Sequence, residues 1–180
     1  MATPQTIGPG EIHAAIARLA DAISARHAGK KNLLLLGVAN GGIELARRLA
    51  APLRVKAGVL DVSFHRDDVH RLPIPKEFRP THIPGDVHGA IVILVDDVLF
   101  SGRTVKAALD ELFDHGRPTI VELAILVDRG GRRLPFAPDY CGFAVVAKET
   151  EKVFVTLDAA DPRRDTVRIA AAARNRKSEI

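Results

Sequence analysis

The sequence predicts one α/β domain: an open, mostly parallel, twisted sheet flanked by helices, with a flexible lid. Three observations predict it. Short continuous apolar runs alternate with segments of helical periodicity, as expected where parallel strands are covered on both faces. One such run, "VILV", ends in two adjacent aspartates and a Ser-Gly-Arg-Thr turn that opens a helix. A polar, histidine- and proline-rich segment from Arg66 to Gly89 then stands out as too long for an ordinary connection.

The elements follow in order. In "EIHAAIARLADAISARH" the residues Ile12, Ile16, Leu19 and Ile23 recur at spacings of three and four, so the first element is a helix with one buried face. "NLLLLGV" reads as a strand that stops at Gly37, and "GGIELARRLA" as the helix after it. "LRVKAGVLDVSF" supplies a second strand, and residues of about 64–89 form the lid. "AIVILV" is the strongest strand; Val105, Ala108, Leu109 and Leu112 stripe the following helix until Gly116 and Pro118 stop it. "TIVELAILV", "YCGFAVVA" and "KVFVTL" read as later strands, and the tail of about 174–180 as frayed.

The chain has 180 residues, 47% of them hydrophobic, which suits a single domain spanning 1–180. Its one cysteine, Cys141, excludes an internal disulfide and favours a reducing compartment such as the cytoplasm, with the thiol in the core. The N-terminus "MATPQTIGPG" lacks the basic and apolar regions of a signal peptide, and no apolar run approaches the roughly twenty residues of a membrane span. Four histidines, His65, His70, His82 and His88, fall in or beside the lid without zinc spacing, so they read as exposed. The net charge of +4 suits an anionic ligand without selecting one.

The chemistry concentrates at Asp96 and Asp97. Consecutive strand residues face opposite ways, so both acids can serve one ligand only if the chain leaves the strand there. The next residues, Leu99, Phe100, Ser101, Gly102, Arg103 and Thr104, bring backbone N–H groups and hydroxyls to a helix start, which makes a phosphate cradle. Carboxylates repel phosphate, so the acids should face sugar hydroxyls or a hydrated Mg²⁺, and a sugar phosphate fits. The chain contains neither G-x-x-x-x-G-K-[ST] nor G-x-G-x-x-G. A phospho-acceptor receiver domain would use an acidic pair, a later Asp and a Lys, an order that Asp96, Asp97, Asp128 and Lys148 imitate; the tight S-G-R-T turn has no role there.

With those residues in view, "VILVDDVLFSGRT" resembles the phosphoribosyl diphosphate (PRPP) motif of type I phosphoribosyltransferases. "DVSFHRDD", "HGRPTIVELAILVDRG" and "LPFAPDYCG" resemble the PyrR family, which combines pyrimidine-operon attenuation with uracil phosphoribosyltransferase activity. The resemblance spans nearly the whole chain. It implies the type I phosphoribosyltransferase fold and the formation of UMP and pyrophosphate from uracil and PRPP with Mg²⁺. Asp96 and Asp97 would then hold the ribose hydroxyls, with the metal near them through PRPP and water and no direct protein ligand. Leu99 to Thr104 would wrap the 5′-phosphate, and Arg66 in the lid would cover PRPP. Ala39, Asn40 and Gly41 occupy the pyrophosphate loop, where the family usually has an Arg-Gly pair. Arg129 and the backbone around Phe143 and Ala144 would meet the base, although the Lys-Asn pair usual beside them is missing. Asp128 would orient Arg129, bind through Mg²⁺-linked water, or cap the strand end.

The resemblance also implies RNA as a partner and association into a homo-oligomer. The residues oppose RNA: at the matching positions stand Ala17 and Asp21, with Arg18 retained, and Gly131 replaces a usual histidine. An aspartate facing phosphate disfavours binding. The alternative to an enzyme is a non-catalytic nucleotide or PRPP sensor that acts by binding RNA or a protein partner.

Overall fold

A computed structural model describes residues 5–62 and 80–171. The chain runs through β1 (Gln5–Ile7), α1 (Pro9–Arg26), β2 (Leu33–Val38), α2 (Ala39–Leu53), β3 (Ala57–Leu60), β4 (Ile91–Leu99), α3 (Arg103–Asp114), β5 (Ile120–Asp128), β6 (Tyr140–Ala144), β7 (Glu151–Thr156), a single 3₁₀ turn at Pro162–Arg164 and β8 (Thr166–Ala171).

Five strands form a parallel sheet in the order β3-β2-β4-β5-β6. Their alternating side chains build two cores. Leu35, Ile93, Val95, Ala124 and Leu126 meet α1 and α2 on one face, while Leu36, Val92, Leu94, Leu123 and Ile125 meet α3 on the other. Burial on both faces explains why these strands are apolar runs rather than alternating ones. Because β4 lies between β2 and β5, the order reverses beside β2, and the carboxyl ends of β2, β4, β5 and β6 open on one side. α1 begins with Pro9 at its first position, where the missing N–H costs nothing, and Glu11 accepts the Gly8 N–H at 3.3 Å. α2 closes on Arg54 in the left-handed region at φ 54°.

Several expectations need correction. The first described element is the strand β1, not a helix, and "KVFVTL" (β7) does not join the parallel sheet. β1, β8 and β7 form a separate three-stranded antiparallel sheet whose buried Ile7, Val167 and Ile169 face the domain. Cys141 is exposed rather than in the core, because β6 is an edge strand and Cys141 falls on its outward alternation. Within the segment read as a lid, residues 80–89 pack on the domain. His82 exchanges both backbone hydrogen bonds with Val59 at 2.8 Å, Thr81 accepts the Asp61 N–H at 3.0 Å, and Val87 is buried. His82 and His88 are exposed, as expected. The rest of the lid, with Arg66, His65 and His70, and the tail of about 174–180 lie outside the described residues. Among the described residues no helix is long and apolar enough to cross a membrane.

A buried polar clip joins the small sheet to the helices. Asp165 is fully buried and accepts hydrogen bonds from both terminal nitrogens of Arg48, from His13 Nε2 at 3.0 Å and from the Asp158 N–H at 2.9 Å. Burial would raise its carboxyl, but these donors, Arg48 foremost, hold it below the ordinary aspartate range. A second cluster lies near the amino end of β5. Tyr140 Oη donates to Glu122 at 2.7 Å, His27 Nε2 lies 2.7 Å from the same carboxylate, and Arg26 Nε is 2.9 Å from its other oxygen.

Candidate active site

The sites read from sequence converge at the carboxyl ends of four adjacent strands. β2 ends into Ala39–Gly41, β4 carries Asp96 and Asp97, β5 ends at Asp128 beside Arg129, and β6 ends with Phe143 and Ala144. Arg66 alone among the candidates lies outside the described residues.

The acids do not sit where the chain leaves the sheet. β4 continues to Leu99, with Asp96 paired to Ile125, Val98 to Val127 and Leu99 to Asp128; only its pairing with β2 stops, at Val95. The exit comes at Phe100. The acids therefore occupy different surroundings. Asp97 continues the α2 face of the strand, and its carboxylate lies directly against Gly41: a Cβ on Gly41 would fall well inside contact distance of all three carboxylate atoms. Asp96 is buried, and its Oδ1 accepts the Asp97 N–H at 3.0 Å. Burial raises the Asp97 carboxyl above the usual aspartate value, against the pull of hydrogen bonds with the Asp96 side chain and the Val98 N–H.

"GVANGG" is not a separate glycine-rich loop. β2 passes straight into α2, whose first turn contains Ala39, Asn40 and Gly41. The glycines serve close approach: a Cβ on Gly37 would lie 2.7 Å from Ile43 Cα, and one on Gly42 would overlap the Val95 carbonyl. The first turn of α2 thereby presses onto β4 beside the acids, so that the positive dipole end of the helix lies at the same strand ends.

Residues Leu99–Thr104 form a tight turn from β4 into the start of α3. Gly102 adopts φ +85°, which a glycine tolerates, and α3 starts at Arg103. Ser101 Oγ accepts the Arg103 N–H at 3.3 Å, and the Arg103 side chain is on an exposed residue. The following loop, which the sequence reading did not include, backs this turn. Arg133 and Leu134 donate their N–H groups to the Ser101 carbonyl at 3.0 Å, Arg129 N–H donates to the Leu99 carbonyl at 3.1 Å, and Phe136 lies beside Gly102. The pair Gly130-Gly131, with φ +69° and +76°, was the available sequence signal of such a fold-back.

Arg129 is buried. Its guanidinium carbon stands 4.0 Å from the centroid of the Phe100 ring, and its Nη2 donates to the Lys148 carbonyl at 3.2 Å. Asp128 does not orient it: that carboxylate pairs with Arg132 and accepts the Gly130 N–H at 3.0 Å, so Asp128 is a strand-end cap. Phe143 and Ala144 pair in register with Val127 and Asp128, which places their backbone beside Arg129.

A groove elsewhere on the surface is lined by His13, Ala17, Asp21, Glu44 and Arg48 among others. It lies between α1 and α2, away from the strand ends.

The phosphoribosyl transferase domain family matches residues 9–161. A protein named bifunctional protein PyrR from Streptomyces coelicolor is 45% identical over 177 residues, covering 94% of this chain and 90% of that one. Another of the same name, from Pelotomaculum thermopropionicum, is 41% identical over 163 residues, covering 87% and 90%. In fold, the chain superposes on a crystal structure of a hypoxanthine-guanine phosphoribosyltransferase from Bacillus anthracis with a TM-score of 0.66 at 20% identity, covering 91% of this chain and 96% of that one. A family match over most of the chain and relatives at 41–45% identity show that the chain belongs to the phosphoribosyl transferase domain family, among the PyrR proteins.

Proposed function

We propose that the protein transfers the phosphoribosyl group of PRPP to uracil, giving UMP and pyrophosphate. The observation that supports this best is the conjunction of the turn at Leu99–Thr104 and an acid pair on β4, Asp96 buried and Asp97 half-buried, with Arg129 directly after the neighbouring strand β5. In this reading the backbone N–H groups of Leu99–Thr104 at the start of α3 bind the 5′-phosphate. Although β4 continues past them, Asp96 and Asp97 lie beyond its last pairing with β2 at Val95, and from that opened edge they bind the ribose hydroxyls, with their negative charge facing the oxocarbenium character that develops at C1 as pyrophosphate departs. The N–H groups at the start of α2 receive the departing anion. Arg129 and the backbone of Phe143 and Ala144 hold the base so that its ring nitrogen meets C1, and Arg66 covers PRPP from the lid.

The paired carboxylates offer the hard oxygen donors that suit a hydrated Mg²⁺ arriving with PRPP. When bound, that ion neutralises the leaving pyrophosphate. The reading places the enzyme in the cytoplasm, with a reduced Cys141, as a homo-oligomer.

RNA is disfavoured by the surface of α1. Asp21 and Glu44 line the groove beside Ala17, and Arg48, the strong cation there, is committed to Asp165. A non-catalytic sensor of nucleotide or PRPP is the second reading, favoured by Asn40-Gly41 standing where an arginine would grip pyrophosphate.

The test is product analysis: purified protein with PRPP and Mg²⁺, offered uracil, orotate, hypoxanthine, guanine and adenine separately. UMP alone supports the proposal. Another nucleotide replaces the base, and no product with PRPP or UMP still bound by calorimetry supports the sensor.

A further inference from the structure

Arg129 is only 7% exposed, yet its Nε is buried with no hydrogen-bond partner among the described residues. A buried donor left open loses its hydration without compensation, so each one calls for a reason, and an arriving ligand acceptor is one. What holds it is unusual for an arginine. The neighbouring carboxylate, Asp128, is taken by Arg132 and the Gly130 N–H. The guanidinium instead rests on the Phe100 ring at 4.0 Å, with Nη2 tied to the Lys148 carbonyl at 3.2 Å.

Phe100 is in turn fixed in place. It belongs to the phosphate turn by sequence, but its ring lies against the loop after β5: a Cβ on Gly131 would come within 2.8 Å of Phe100 Cε2. Gly131, at φ +76°, lets the backbone close on the ring where a side chain would hold it off.

We propose that Phe100 is a positioning residue for base recognition: its ring holds the Arg129 guanidinium flat and presents Nε–H to a carbonyl oxygen of the pyrimidine. The phosphate is bound by the backbone of the turn, and the Phe100 side chain serves the other end of the ligand. This rests on Arg129 reading the base, as proposed above.

The test compares UMP with ribose 5-phosphate by calorimetry, which needs no turnover. The wild-type protein is expected to prefer UMP. Phe100→Leu should cut UMP affinity roughly three- to thirtyfold, the range of a partly to fully desolvated cation–π contact, while ribose 5-phosphate affinity stays within about twofold. Phe100→Tyr, which keeps the ring, should restore the preference. In an Arg129→Gln background, Phe100→Leu should have no further effect on UMP. Circular dichroism and melting of each variant establish that it is folded, and the half-exposed position of Phe100 makes leucine tolerable.

A loss in Phe100→Leu that is equal for both ligands would assign the ring to the phosphate end and overturn the proposal. So would unchanged UMP binding, or a Phe100→Leu effect that persists without Arg129. If the wild-type protein binds ribose 5-phosphate but does not prefer UMP, the base reading of Arg129 fails, and this proposal falls with it while the phosphate turn stands.

Discussion

The carboxylate of Asp97 lies against the backbone of Gly41, so the acid on β4 and the first turn of α2 share one space. A strand and a helix start that the chain keeps more than fifty positions apart in numbering, 97 and 41, thus share a single surface. Gly41→Ala should push the acid aside. The expected result is a loss of at least about tenfold in kcat/KM for PRPP and a stability cost of about 1–3 kcal/mol from overpacking. Gly10→Ala, in α1 with open space around it, is the control and should be neutral or stabilising by about 0.5–1 kcal/mol. Equal effects in the two variants would break the link between Gly41 and Asp97.

Replacing both acids, Asp96→Asn with Asp97→Asn, should abolish PRPP-dependent turnover, a fall of roughly 10²–10³ or more in kcat, with the far-ultraviolet circular dichroism retained. Turnover at the wild-type rate would remove the acids from the mechanism.

Asp97 alone should show function held against stability. Its folded-state pKa is raised, chiefly by burial, so the folded protein binds the proton more tightly than the unfolded chain. Stability in the ligand-free protein therefore falls as pH rises from the ordinary aspartate value of about 3.9 through the raised one. Asp97→Asn should melt higher than wild type above that window and equally below it. Melting curves from pH 3 to 8 check this, and a variant that melts lower at neutral pH would refute it.

Glu122 should behave in the opposite sense. Burial would raise its carboxyl, but hydrogen bonds from Tyr140 and His27 and the charges of His27 and Arg26 outweigh that and hold it low. Its stabilisation is present above the ordinary glutamate value of about 4.3 and is lost as pH falls through the depressed one. Glu122→Gln should cost about 1–3 kcal/mol at pH 7, with a smaller cost in strong acid. Because Glu122 is near the amino end of β5 and the site is at the other end, KM for PRPP should be unchanged.

Asp165→Ala should destabilise by about 3–5 kcal/mol, since it strands the half-buried Arg48 and frees three elements at once. Denaturant unfolding measures it; a cost under about 1 kcal/mol would show the clip to be ornamental.

The fold and the site were legible where a local pattern carried them. "AIVILV" and "TIVELAILV" are apolar because both faces are covered, and the acids and the S-G-R-T turn announce chemistry at a strand end. The small sheet was not legible, since β1 has three residues and its partner β8 lies at the other end of the chain, with no alternation strong enough to mark either. The glycines of "GVANGG" suggested a loop, whereas they are needed for helix-to-strand contact, a tertiary cause invisible in a single segment. Cys141 is expected in the core because it lies in a strand as a lone unpaired thiol, and only the strand order reveals that β6 is an edge. The hold on Arg129 by Phe100 and Lys148 spans three separate segments, so no spacing could have shown it.

That exposed edge makes the protein its own instrument. Cys141 is the one thiol in 180 residues, and its Sγ donates to the Phe143 carbonyl at 3.2 Å, on the strand that ends beside Arg129. Partial desolvation raises its pKa, so a maleimide dye would attach slowly at neutral pH and readily in mild alkali. A fluorophore placed there, without any engineered cysteine, would sit two residues from the backbone proposed to meet the base and could report each ligand's arrival as a change in emission.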